Sequence, residues 1–93
     1  MAEIEQLPIP EAVAAARRKR EMARIWIADG HQIATLSANL WDDPGAWGLM
    51  LVDLAKHVAK AYEAKGYAAS DALDRIRLAM EAEWSHPTDP DPH

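Results

Sequence analysis

Apolar and polar positions follow several different rhythms along the chain. Between residues 22 and 38 the rhythm is short: Ile25, Trp26 and Ile27 precede Asp29-Gly30, and Ile33, Thr35 and Leu36 follow. Asp-Gly between two β-rich runs marks a tight hairpin, because both turn positions need positive φ. Alternation puts Ile25 and Ile27 on one face and Arg24 and Trp26 on the other. An isolated hairpin is marginal in water, so this one must pack on something or gain strands.

From residue 44 the period lengthens. Asp43 suits an N-cap and Pro44 the first helical position, and Gly66 stops the helix after Lys65. At 100° per residue, Trp47, Met50, Leu51, Leu54, Val58, Ala61 and Tyr62 fall in one arc, which Ala55 and Ala59 widen. So wide an apolar face predicts contact with two elements, such as the hairpin and a second helix. Trp41 and Trp47 would fasten the helix start to the sheet. The second helix is expected from Ser70 or Asp71 to about Trp84, with a narrow stripe of Leu73, Ile76, Met80 and Trp84. Asp71–Arg75, Asp74–Arg77 and Arg77–Glu81 stand at helix-neighbour spacing.

The two ends lack such order. Residues 1–10 carry two prolines and no period, and residues 11–20, EAVAAARRKR, suit at most a frayed or nascent helix after Pro10. The segment 85–93, SHPTDPDPH, has three prolines and reads as a disordered tail. The predicted fold class is therefore α+β: a hairpin at about 22–38 packed against helices at about 44–65 and 71–84. An N-terminal arm (1–20), one compact domain (21–85) and a tail (86–93) are expected.

The segments WDDPGAWG, LVDLAKHVA and EWSHPT, within residues 22–89, resemble a family of short uncharacterised bacterial proteins, mostly alphaproteobacterial, known as a domain of unknown function. That resemblance implies a compact α+β domain in a bacterial cytoplasm and brings no activity, cofactor or catalytic residue.

Composition narrows the function classes. The chain has no cysteine, which removes disulfides and zinc–thiolate sites and fits a reducing cytoplasm. No signal peptide or membrane-spanning run stands out. The formal charge of −5 disfavours nucleic acid as a partner. Arg17, Arg18, Lys19 and Arg20 could touch phosphates, but no aromatic residue interleaves with them and no reading motif follows. A solvated end of the arm is the simpler reading.

Other candidates are each weighed against a structural reading. Asp53 and His57 share a helix face and could hold a divalent metal or orient a general base. A catalytic metal needs three protein ligands, so a solvated pair is favoured. Gly45 and Gly48 could open an anion site at a helix N-terminus, yet Asp42 and Asp43 put carboxylates there. Close approach of a strand or partner backbone across the missing Cβ is the expected role. Ser37, Ser70 and Ser85 lie in no nucleophile elbow. The reading leans against an enzyme, and no cofactor is indicated.

Four tryptophans are many for so small a chain. Trp47 and Trp84 lie on the helical stripes and are expected in the core. Trp26, Trp41, Trp47, Leu49 and Leu78 are the interface candidates. The expectation is a non-enzymatic protein-interaction or small-ligand-binding module, pairing with itself or another protein. The rivals are a small enzyme or metal-dependent protein at Asp53 and His57, and a nucleic-acid regulator using residues 17–20.

Overall fold

The computed structural model describes residues 4–88. The chain divides into two compact units, Met1–Ser37 and Ala38–His93, and each is taken by itself.

In the first unit, residues 4–10 form no regular element. A single turn of helix, α1 (Glu11–Ala15), follows Pro10, whose carbonyl accepts from the N–H groups of Val13 and Ala14 at 3.0 and 3.1 Å. Of the stretch 11–20, expected to be at most a frayed or nascent helix, only this turn is helical. Ala16 is extended, and the alanine-rich turn buries nothing that would repay its ordering. Lys19 Nζ donates to the Ala14 carbonyl at 2.8 Å, which satisfies one free end.

The hairpin comprises β1 (Ala23–Ala28) and β2 (His31–Leu36), antiparallel, with Trp26 opposite Ile33 and Ile25 opposite Ala34. Asp29 and Gly30 take φ of 51° and 80°, as the Asp-Gly turn requires. A bond from Ser37 N–H to the Met22 carbonyl, 2.8 Å, carries the ladder one step further. The register sets Ala23, Ile25, Ile27, Ala34 and Leu36 on one face, and Arg24, Trp26, Ile33 and Thr35 on the other.

In the second unit, α2 (Gly45–Ala61) runs into a 3₁₀ turn (Tyr62–Lys65), and α3 (Ala69–Ser85) packs back against it. The helix start answers the unusual WDDPGAWG segment. The Asp43 carboxylate accepts the Gly45 N–H at 2.8 Å, so the expected acidic cap is in place. A Cβ on Gly45 would stand 3.2 Å from that carboxylate, so glycine leaves the aspartate room to fold back. Trp41 and Trp47 meet edge to face, 5.3 Å between centroids, across the turn. They fasten the turn to itself.

The connection is equally well built. Gly66 ends the 3₁₀ turn at φ 91°, and Tyr62 and Tyr67 stack edge to face at 5.6 Å with Lys65 Nζ 4.8 Å from the Tyr62 ring. The second helix starts at Ala69, two residues before the expected Asp71, and its cap residue Ala68 makes no side-chain bond. Asp71 instead occupies the first turn, where its charge suits the helix dipole. Of the three expected ion pairs, Arg77–Glu81 forms, at 3.6 Å; it and Arg24–Glu21 are the ion pairs among the described residues. Residues beyond the helix turn back: the Thr88 N–H and hydroxyl both donate to the Glu83 carboxylate. The rest of the expected tail, 89–93, lies outside the described residues.

The core is thin. Ala59 and Ala72 are the buried hydrophobic residues among those described, at 2% and 5% exposure. Two alanines let the helix axes come close near the turn. Large side chains of the predicted core arc behave otherwise. Leu51, Leu54, Val58 and Tyr62 are exposed, and Met80 keeps 45% of its surface. Trp84, expected in the core, is 88% exposed. The helical period was correctly read, but of the stripe residues on α2 and α3 only Ala59 and Ala72 are fully covered, while Trp47, Met50, Ala55, Leu73 and Ile76 are half-buried.

Candidate functional site

The chemistry-bearing residues do not converge. Asp53 and His57 lie one turn apart on α2, and no group of three or more metal-binding side chains comes together among the described residues. The basic run Arg17–Arg20 follows α1 outside any regular element. Just beyond it, Arg24 pairs with Glu21 and donates to Gln6 Oε1 at 3.3 Å. Glu21 raises the Arg24 guanidinium above its ordinary pKa, by hydrogen bonding first and by charge second.

Two surface depressions have volumes of about 270 and 240 Å³. One is a dent on α3 lined by Asp74, Arg77, Leu78 and Glu81, and the other lies at the open end of the hairpin, from Glu21 to Arg24 and Thr35 to Ser37. Both fall below the usual range for a small-molecule pocket, about 300–1,000 Å³. Neither is lined by Asp53 or His57.

Each unit does expose apolar surface. On the hairpin, Ile25, Ile27 and Leu36 share a face and are all more than half exposed. Trp26 sits on the opposite face, half-buried across from Ile33. On the helices, Leu51, Leu54 and Val58 form one exposed strip along α2, at 40–47% exposure. Met80 and Trp84 form a second strip along the end of α3. Among the sequence-derived interface candidates, Leu49 and Leu78 are the most exposed, Trp41 is on the border of exposure, and Trp47 is half-buried under Trp41. Sequence reading missed Trp84 as a surface residue because periodicity reports which face a residue occupies and not whether anything reaches it.

Gly48 adds a further feature. No atom lies within 4 Å of where its Cβ would be. The helix pair itself therefore makes no close backbone approach there. Gly48 sits on α2 in line with Ala55 and Ala59, which face α3.

The fold is that of a small α+β protein with a hairpin and a helix pair, each carrying exposed apolar side chains. No helix of the described residues is long and apolar enough to cross a membrane. The chain belongs to the family described as a domain of unknown function (DUF5076), whose model matches residues 6–88. A solved structure, that of a putative pyruvate dehydrogenase from the photosynthetic bacterium Rhodopseudomonas palustrus CGA009, is 35% identical. It superposes with a TM-score of 0.74, over 100% of this chain and 96% of that one. No curated protein matches the chain.

Proposed function

We propose that this protein is a small non-enzymatic interaction module that works as a homodimer. The observation that supports this is its surface area. A compact chain of 10.3 kDa exposes about 5,400 Å², and two separately compact pieces the size of these units about 6,400 Å² together. This chain exposes 8,839 Å². The surplus over the separate pieces is thus about 2,400 Å². Counting every residue outside 11–88 as fully extended removes about 1,600 Å² of it. About 800 Å² remains, close to what each partner contributes to a standard stable interface. Much of the exposed side-chain surface is isoleucine, leucine, valine, methionine and tryptophan, which water disfavours by about 25 cal/mol per Å².

The enzyme alternative gains less support. Asp53 and His57, the residues it would centre on, line neither surface depression. The measurement that tests the reading is solution mass by light scattering over a hundredfold concentration range, reaching below micromolar. The expected mass is twice 10.3 kDa. A mass of one chain throughout would overturn it.

A further inference from the structure

The dimer reading leaves open which surface closes on itself, and the hairpin backbone bears on it. Among the described residues β1 and β2 form a two-stranded sheet, so each strand has one edge without a neighbouring strand. The bond from Ser37 N–H to the Met22 carbonyl marks theirs as a hydrogen-bonded pair. Every second pair after it, Arg24–Thr35, Trp26–Ile33 and Ala28–His31, is then of the same kind. In the pairs between, the N–H and C=O groups point outward. They belong to Ala23, Ile25 and Ile27 on β1, and to Gln32, Ala34 and Leu36 on β2. The two edges differ. β1 carries Arg24, which is ion-paired to Glu21 and bonded to Gln6 of the N-terminal arm. β2, HQIATL, holds no lysine, arginine, carboxylate or proline, no bulge interrupts its register, and all six of its residues are exposed. Charge, proline and bulges are what keep an edge strand from pairing, and β2 has none of them.

We infer that two copies pair antiparallel through β2, about a two-fold axis at Ala34, into a four-stranded sheet. The inference rests on the homodimer reading and specifies its interface. Register follows from symmetry, because outward groups must meet outward groups and the same strand serves both copies. An axis at Ala34 sets Ala34 against Ala34 and Gln32 against Leu36, so every outward residue of β2 gains ladder bonds. An axis at Ile33 leaves Leu36 without a β2 partner, and one at Thr35 leaves Gln32 without one. The side chains agree with this register. Ile25, Ile27 and Leu36 of both copies then share one face, and on the other Ile33 stands opposite Thr35 of the second copy. No residue of the hairpin is fully buried, and a sheet needs three or more strands with an apolar face to support itself. The surplus of about 800 Å² calculated above is one copy's share of a stable interface, which makes a second copy the occupant. The exposed strips of α2 and α3 are apolar too, but they present no row of donors and acceptors that fixes a partner and a register.

The test uses the full chain and matched variants on the two edges. Ala34→Pro and Ala23→Pro each remove an outward N–H that takes no part in the hairpin ladder, so the hairpin keeps its own bonds. Far-UV circular dichroism checks folding, and sedimentation equilibrium gives the dimer dissociation constant of each. Ala34→Pro should raise it by at least about thirtyfold, because the symmetric contact loses a bond from each copy at its centre. Ala23→Pro should stay within about threefold of the parent, as a change outside the contact. Ala34→Cys is an independent measurement that does not depend on how proline affects folding. The chain has no cysteine, and hydrogen-bonded partners on neighbouring strands stand about 5.5 Å apart between Cα atoms, within disulfide reach. Mild oxidation should give a covalent dimer with Ala34→Cys and leave Ala23→Cys a single chain on a denaturing gel. A dimeric parent whose Ala34→Cys variant does not cross-link overturns this edge and leaves the dimer standing. So does a folded Ala34→Pro variant with an unchanged dissociation constant, or equal cross-linking through Ala23→Cys. A parent that is monomeric at every concentration overturns both.

Discussion

The two ends of the helix pair are built on opposite plans. At the turn end, two alanines meet, two tyrosines stack, a lysine covers one ring and a glycine takes the left-handed conformation that lets the chain reverse. Towards the other end Leu49, Leu51 and Met80 are exposed and Trp84 stands in water. The contrast teaches that apolar content is not the same as core. The smallest apolar residues are the buried ones, because only they allow the helix backbones to come close. The largest are left over, in a place where a further surface could meet them.

That contrast can be tested from its strongest element to its weakest. Ala72→Leu should overpack the closed end and cost about 1–3 kcal/mol in urea unfolding. A neutral result would mean that the closed end is loose. Gly66→Ala should cost about 1–2 kcal/mol, because φ is 91° there and a Cβ strains that conformation. Thermal melting reads this, and an unchanged midpoint would show that the connection can relax. Asp43→Ala removes the carboxylate that accepts the Gly45 N–H and should cost about 1 kcal/mol. Its mark should be local: faster amide exchange in the first turn of α2 and little change near Ala59. At dilutions where the chain is monomeric, Trp84→Ala should change unfolding by no more than about 0.5 kcal/mol, since the ring packs on almost nothing. A loss comparable to that of Ala72→Leu would erase the distinction between the ends.

Local structure was legible along most of the chain. Asp29-Gly30, Asp43 with Pro44, and Gly66 each act on their own neighbours, and each stands where its chemistry demands. The start of α3 was read two residues late because Ser70 and Asp71 are good caps, yet the helix begins at Ala69 without one. The role of the two tryptophans was half legible. Their spacing across the turn brings them together, but what they touch is each other. As for the interface candidates, Leu49 and Leu78 were recognised by falling on polar faces, whereas Trp84 lay on a core stripe and gave no such sign.

The sequence by itself determined the hairpin with its turn, the two long helices, the apolar face of each and the family to which they belong. These follow from dihedral preferences, capping and periodicity, which operate over a few residues. Only the tertiary structure decided how much of each apolar face is covered. Coverage depends on where one helix crosses another and how far they stay together, a property of pairs of elements distant in sequence. It is this that turns Trp84 from an expected core residue into the most exposed large hydrophobic residue of its helix.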